Sequence, residues 1–155
     1  MESLLILLDE LLERAFDELY KNDQYLLEHV VHERSIVFRF GHYLQNLMDG
    51  TGKFQGYNLD FEYNRNGSHP KRIPSRPRNG AFPDLIIHRR GSNKYNLLVM
   101  EFKPPWDTET SDDCKKLQQF IDPQGIYNYL CGKSILLGQT RSGIIIKTFT
   151  SDIHR

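Results

Sequence analysis

Cysteine is scarce in this chain of 155 residues, since its two cysteines, Cys114 and Cys131, are too few for a disulfide scaffold and lack metal-ligand spacing. A reducing cytoplasm is therefore the expected location. The N-terminal segment has an apolar run of only five residues and no basic leader, so we expect neither a signal peptide nor a membrane-spanning helix there. Internal repeats and low-complexity segments are also lacking.

Net charge is lacking as well, because 20 basic residues balance 20 acidic ones. The charge is nevertheless segregated: residues 1–30 hold eight acidic and two basic residues, whereas residues 64–83 hold five basic and no acidic ones. Hydrophobic residues make up 39% of the chain, which excludes a disordered protein. A chain of 155 residues fits one domain, residues 1–155, with a sizeable core.

Helical periodicity dominates residues 3–48. From Leu4 to Tyr20 apolar residues recur at helical spacing opposite an acidic side, which predicts an amphipathic helix with a solvated acidic face. A second helix is predicted from Gln24 to Met48, closed by the glycine-rich segment 49–52. Its inward seam is predicted to contain Leu26, Val30, Glu33, Val37, Phe40, Leu44 and Leu47.

Glu33 is the one carboxylate on that otherwise apolar seam. A buried, ionised glutamate without a partner would cost several kcal/mol, so Glu33 requires a cation or a basic residue. One explanation is an ion pair with Arg34 or Arg39, and the other is that Glu33 is the third carboxylate of a metal site. His29 and His32 lie nearby, but His-Val-Val-His-Glu lacks the order of a metalloprotease motif, so zinc is not favoured.

Two apolar runs flank a polar turn between Asp84 and Lys103, which predicts a β-hairpin. If the hairpin is symmetric about Ser92-Asn93, paired residue numbers sum to 185 and Asp84 lies opposite Glu101. Opposed residues share a face, with Cβ atoms about 5 Å apart, and Lys103 follows Glu101 on that face because side chains alternate along a strand. We therefore expect two carboxylates and a lysine to converge.

Apolar residues occupy both faces of this hairpin, which predicts a sheet that is covered on both sides. Two adjacent carboxylates in such a place repel each other and lose hydration, so either a pKa rises or a cation binds. Carboxylate oxygens suit Mg²⁺ or Mn²⁺ better than Zn²⁺. The alternative is a cross-strand ion cluster that only stabilises the hairpin.

Residues 64–83 have no periodicity and contain four of the seven prolines, which predicts a long irregular loop. Its basic residues are Arg65, Lys71, Arg72, Arg76 and Arg78. One interpretation is a solvated basic flap. The other is a flap that binds nucleic acid through backbone phosphates, which arginine and lysine contact with release of counterions.

The remaining segments complete the pattern of elements. Residues 57–63 alternate as a strand does, residues 111–121 predict a short helix with Lys115 and Lys116 exposed, and residues 133–139 and 143–150 predict a final hairpin. The expected fold class is therefore α/β (α+β), with N-terminal helices at 3–48 and a sheet core at 57–150. Helices should flank a mixed central sheet of about five strands.

This order of elements, with Pro83-Asp84 and Glu101-Phe102-Lys103 on the central hairpin and Glu33 on the preceding helix, resembles the PD-(D/E)xK nuclease superfamily, which has the restriction-endonuclease-like fold. The segments 60–65, 83–91, 96–103 and 113–117 are similar to a small bacterial branch of it. The resemblance covers roughly residues 33–149. One subgroup pattern is not followed, because Gln124 precedes Tyr127 by three residues instead of four.

The resemblance implies that Asp84 and Glu101 bind the metal ion, that the Phe102 carbonyl is a further ligand, and that Glu33 extends this set. Lys103 would orient or deprotonate the attacking water and stabilise charge on phosphorus. The expected activity is hydrolysis of nucleic acid, with DNA as the expected substrate and Mg²⁺ or Mn²⁺ as the cofactor.

The alternative is that the protein has the same fold but is a catalytically inactive nucleic-acid-binding or protein-interaction module. A homodimer and a role in host defence are compatible with the nuclease, and no membrane partner is expected.

Overall fold

The chain forms two compact units in the computed structural model, which describes residues 2–151. The first unit comprises the chain up to Gly56 together with Lys103–Thr108 and Leu136–Ile145. The second unit comprises Tyr57–Phe102, Glu109–Ile135 and the chain from Ile146. Residue 1 and residues 152–155, which the predicted single domain includes, lie outside the described residues. The single domain stays a prediction.

Three helices make up most of the first unit: α1 (Glu2–Asn22), α2 (Gln24–Glu28) and α3 (Glu33–Thr51). α1 confirms the first predicted helix. It buries apolar side chains at helical spacing, among them Leu8, Leu11, Ala15, Phe16 and Leu19. Phe16 packs on Phe40 of α3 with ring centroids 4.5 Å apart, and such burial supplies most of the stability of an amphipathic helix.

The prediction of one helix from Gln24 to Met48 is wrong, because the chain leaves the helical conformation at residues 29–32. His29 is extended, with φ −121° and ψ 145°, and the β-branched residues Val30 and Val31 disfavour a helix. Val30 is 82% exposed and therefore does not belong to an inward seam. His32 caps α3, since its Nδ1 accepts a hydrogen bond from the Arg34 N–H.

Because α3 begins only at Glu33, its buried stripe begins at Ile36. It consists of Ile36, Val37, Phe40, Gly41, Leu44 and Met48. Val37, Phe40 and Leu44 of the predicted seam are thereby confirmed as buried. Leu26, Glu33 and Leu47 are only half-buried. Gly52 ends the helix as predicted, because its left-handed backbone (φ +64°) lets its N–H donate to the Asp49 carbonyl at 3.2 Å.

The described residues form seven strands: β1 (Asn58–Phe61), β2 (Arg65–Asn66), β3 (His69–Pro70), β4 (Leu85–His88), β5 (Leu98–Lys103), β6 (Cys131–Leu136) and β7 (Ile145–Thr150). Five of them form one sheet in the order β1-β4-β5-β6-β7. β4 is antiparallel to β1 and to β5. Helix α4 (Ser111–Ile121), which matches its predicted range, connects β5 to β6.

β5 and β6 run parallel. Cys131 donates its N–H to the Leu97 carbonyl and Leu137 donates to the Lys103 carbonyl, so the hydrogen bonds advance in the same direction along both strands. The predicted mixed sheet of about five strands, accompanied by helices, is therefore confirmed.

The predicted register of the central hairpin is also confirmed. Leu85 pairs with Met100, Ile86 with Val99 and Ile87 with Leu98, so each pair of residue numbers sums to 185. Both strands are buried as far as Phe102. Ile86 and Val99 belong to one hydrophobic cluster with Leu117 and Phe120 of α4, so this helix covers the face that those residues share.

The loops contain more regular structure than predicted. The hairpin turn is asymmetric, since Arg89 bridges Ser92 around Gly91 (φ +81°) and a 3-10 helix, Asn93–Tyr95, follows. Within residues 64–83, β2 and β3 form a two-stranded ribbon.

The two cysteines are not joined in a disulfide. Over residues 2–151, no helix has both the length and the apolar character needed to cross a membrane.

Candidate functional site

The second unit brings Asp84 to the part of β5 that carries Glu101. Asp84 directly precedes β4, and its Oδ2 accepts a hydrogen bond from the main-chain N–H of Phe102 at 2.7 Å. The last ladder pair is Leu85 with Met100, so Asp84 and Glu101 are the next residues of the two strands. The predicted neighbourhood of Asp84, Glu101 and Phe102 is therefore present.

Glu101 is an almost completely buried carboxylate, with 2% of the residue exposed. Its Oε2 lies 2.6 Å from Nζ of Lys116, and its Oε1 has no hydrogen-bond partner among residues 2–151. Burial raises the pKa of Glu101 well above its usual value, and the negative charge of Asp84 raises it further, whereas Lys116 opposes the shift.

Lys116 is the site residue that sequence reasoning missed. It was expected to be exposed like Lys115, but only 14% of its side chain is accessible, and its Nζ also lies 3.4 Å from Asp113 Oδ1. Burial acts to lower the pKa of Lys116, yet the net shift is upward because Glu101 and Asp113 stabilise the ammonium. The prediction of an exposed Lys116 is therefore wrong, while Lys115 is exposed as expected.

The spacing of α4 contains a signal that could have identified Lys116. Asp113, Leu117 and Phe120 are buried, at helical positions i, i+4 and i+7. Lys116 stands at i+3 and so borders the same stripe. Its ammonium therefore lies on the side of α4 that covers the sheet.

Lys103 and Glu33 lie in the first unit. Lys103 is the last residue of β5, and its Nζ lies 3.6 Å from Asp107 Oδ2. Glu33 is the first residue of α3, where the helix dipole favours a carboxylate. The expectation that Glu33 is buried within an apolar seam is wrong, and its role as a metal ligand and the catalytic role of Lys103 stay predictions.

The donor atoms of the second unit suit a hard divalent cation. Among the residues described, no group of three or more histidine, cysteine, aspartate or glutamate side chains is placed to hold a metal ion. Mg²⁺, however, keeps several waters and is commonly bound through one or two carboxylates. Asp84 and Glu101 supply such a pair, and Oε1 of Glu101, which has no hydrogen-bond partner among the described residues, is a buried acceptor that could coordinate such an ion.

The basic residues of the loop between β1 and β4 differ in their exposure and in their ion pairs. Arg65, Arg72 and Arg78 are exposed. Arg76 forms an ion pair with Asp112. Lys71 is only 2% exposed, so it does not belong to the exposed surface of this loop, and its role in nucleic-acid binding stays a prediction.

A second polar cluster, also missed by sequence reasoning, lies where β1 pairs with β4. His88 Nε2 is 2.9 Å from Asp60 Oδ2, and Arg90 contacts both oxygens of the same carboxylate. Burial raises the pKa of Asp60, but the hydrogen bonds from His88 and Arg90 outweigh it, and the net pKa is well below the usual range.

Comparison with protein families, curated proteins and solved structures finds no match to this chain.

Proposed function

We propose that this chain is a metal-dependent nuclease of the PD-(D/E)xK type, with a restriction-endonuclease-like core, that hydrolyses DNA. The observation that carries the proposal is the buried Glu101 beside Asp84 on the central hairpin, with one carboxylate oxygen bound by Lys116 and the other without a hydrogen-bond partner among the described residues. A buried carboxylate in this state takes up a proton or binds a cation, and a divalent cation beside Asp84 would stabilise its ionised form. The order of helices and strands supports the same family.

Asp84 and Glu101 would hold Mg²⁺ or Mn²⁺, with the Phe102 carbonyl as a further ligand and Glu33 as an additional carboxylate. When bound, such an ion polarises the phosphoryl group and acidifies a coordinated water. The Phe102 N–H donates to Asp84 Oδ2 at 2.7 Å and would hold this carboxylate in one orientation, which supports the proposed role.

The two lysines would have different tasks. Lys116 neutralises part of the charge on Glu101 and keeps that side chain in one orientation. Lys103, two residues beyond Glu101 on β5, would orient the attacking water and stabilise the negative charge that develops on phosphorus.

Exposed arginines would bind the substrate. Arg65, Arg72 and Arg78 belong to a segment without acidic residues, and arginines of this kind contact backbone phosphates. A cytoplasmic location, a homodimer for cutting both strands and a role in host defence belong to the same proposal.

A second candidate is a non-catalytic nucleic-acid-binding or interaction module. The ion pair between Lys116 and Glu101 favours it, because the ammonium already supplies positive charge to the buried carboxylate. Such a module would bind DNA in the presence of Mg²⁺ and leave it intact.

The test is incubation of plasmid and single-stranded DNA with the purified protein and Mg²⁺ or Mn²⁺. The wild type should cut, and Glu101→Gln, Asp84→Asn and Lys103→Ala should each reduce the rate by about 10²-fold or more. Glu10→Gln, an exposed carboxylate of α1, is the matched control and should cut normally. Equal cutting by wild type and Glu101→Gln, or no cutting of any substrate, would falsify the nuclease assignment.

A further inference from the structure

A cavity of about 230 Å³ lies within the second unit, next to the β2–β3 ribbon and the turn that follows β4. Its walls include three basic side chains, Arg65, Lys71 and His88, and the ring of Tyr63. Among the described residues that line it there is no carboxylate. The cavity is therefore a small polar space with an excess of positive charge.

Lys71 is the least expected of these groups. Its Nζ has one hydrogen-bond acceptor among the described residues, the Tyr129 hydroxyl at 3.0 Å, and no carboxylate of that part of the chain lies within ion-pair distance. An ammonium carries three N–H donors. Four aromatic rings, those of Tyr63, Phe120, Tyr127 and Tyr129, have centroids 5.3–5.9 Å from Nζ and supply cation–π attraction.

Those contacts satisfy only part of the hydrogen-bonding capacity and of the positive charge of the Lys71 ammonium. Burial lowers its pKa to about 8, and the charge of Asp60 offsets only part of that shift. Asp60 itself is already bound by His88 and Arg90. An anion in the cavity would supply both the missing acceptors and the missing negative charge.

His88 and two turns also line the cavity. Asp60 holds His88 Nε2 at 2.9 Å, which fixes the ring and leaves Nδ1 as its other polar atom. Gly67 and Gly91 both line the cavity with positive φ (59° and 81°). Main-chain N–H groups in turns of this conformation form concave anion sites.

We propose that this cavity binds a phosphate monoester group, carried either by a small phosphate ester or by the terminal phosphate of a nucleic-acid strand. A phosphate monoester carries about two negative charges at neutral pH, which matches the two cationic side chains Arg65 and Lys71 better than the single charge of a carboxylate does. The volume is below the roughly 300–1,000 Å³ of ordinary small-molecule pockets. It therefore suits a phosphate group with a small substituent, for which the Tyr63 ring provides an apolar wall.

Calorimetric titration of the full chain tests the proposal with three probes, namely inorganic phosphate, thymidine 5′-monophosphate and thymidine. We expect both phosphate compounds to bind and thymidine not to bind. Lys71→Met should weaken phosphate binding by about tenfold or more, and Arg65→Gln by several-fold, because each removes a charge-assisted hydrogen bond. Lys115→Gln removes an exposed positive charge of the second unit outside the cavity wall and should leave the phosphate affinity unchanged.

The nuclease proposal and this one can fail separately. Glu101→Gln should abolish cutting and leave phosphate binding intact, since Glu101 does not line the cavity. The two sources of phosphate are distinguished with 5′-phosphorylated and 5′-hydroxyl oligonucleotides. A Lys71-dependent preference for the phosphorylated strand assigns the site to strand ends, and Lys71-dependent binding of the mononucleotide alone assigns it to small esters.

Two results would overturn the proposal. One is thymidine binding as tightly as its monophosphate. The other is the same phosphate affinity in wild type, Lys71→Met and Arg65→Gln. Because Lys71 is buried, circular dichroism and thermal unfolding must first show that Lys71→Met is folded. Arg65→Gln changes an exposed residue and tests the same prediction if Lys71→Met does not fold.

Discussion

Lys116 Nζ lies 2.6 Å from Glu101 Oε2, so a lysine of α4 stabilises the buried carboxylate at the centre of the main sheet. The same ammonium contacts Asp113 one turn earlier on the helix. This arrangement joins the helix to β5 by charge as well as by apolar packing. It also sets the ionisation of the residue on which the proposed metal site depends.

Glu101 should make the stability of the fold depend on pH. The pKa of Glu101 in the folded chain is raised above the ordinary value of 4.5. Between the ordinary pKa and the folded pKa, the folded state therefore binds more protons than the unfolded state. The stability that Glu101 contributes is complete below the ordinary pKa and is lost as pH rises through the higher folded pKa. Chemical unfolding from about pH 4 to about pH 8 should show wild type losing stability relative to Glu101→Gln.

Mg²⁺ provides the control for this effect. At the upper end of the range it should restore stability to wild type, because ligand binding stabilises the folded state, and leave Glu101→Gln unchanged. Parallel curves for the two proteins at every pH would show that Glu101 does not titrate in this way.

Replacing Lys116 should be far more damaging than replacing Lys115. Lys116→Met leaves Glu101 buried without its counter-charge, and breaking a buried ion pair costs about 3–5 kcal/mol. Lys115→Met changes an exposed side chain on the same helix and should stay within about 0.5 kcal/mol. Urea unfolding of both variants measures the difference, and similar midpoints for the two would contradict the ion pair.

Lys71 should give the opposite pH dependence from Glu101. Its pKa falls from 10.5 to about 8 on folding, so the unfolded chain binds more protons between these values and stability rises with pH there. The shift corresponds to about 3 kcal/mol. Unfolding curves for wild type should rise across this range relative to Lys71→Met, whereas the exposed Lys94→Met should follow wild type. The tyrosines around Nζ are unchanged in this comparison, so they do not account for the difference.

Exposed arginines of the loop between β1 and β4 should set the salt dependence of DNA binding. Arg72→Gln and Arg78→Gln should each lower the slope of log affinity against log salt by about 1 if the side chain contacts a phosphate. Arg76→Gln should have a smaller effect, because Asp112 already pairs with that side chain. Arg14→Gln, on the exposed face of α1, serves as the control. Unchanged slopes in the first two variants would leave this loop as solvated surface.

The central hairpin could be predicted because its determinants are local. Two apolar runs flank one polar turn, and symmetry about Ser92-Asn93 gives the register that Leu85–His88 and Leu98–Lys103 adopt. The break before α3 could not be predicted in this way, since Val30 fits an apolar helical seam as well as an extended segment. Helical periodicity alone does not distinguish the two.

Long-range contacts account for the other differences. Lys71 is buried among Tyr63, Tyr127 and Tyr129, two of which lie more than fifty residues along the chain. Lys116 of α4 is largely buried because its ammonium forms an ion pair with Glu101 of β5. In both cases a charge is accommodated by partners that only the folded chain brings near, so composition and spacing underestimate the burial.

Binding of Mn²⁺ to the purified protein decides whether Glu101 is a metal ligand or only one partner of an ion pair with Lys116. Electron paramagnetic resonance titration should show saturable Mn²⁺ binding to wild type and to Glu10→Gln, with a loss of about tenfold or more in affinity for Glu101→Gln and Asp84→Asn. Equal Mn²⁺ affinity in wild type and Glu101→Gln, or no saturable binding to the folded wild type, would contradict the account.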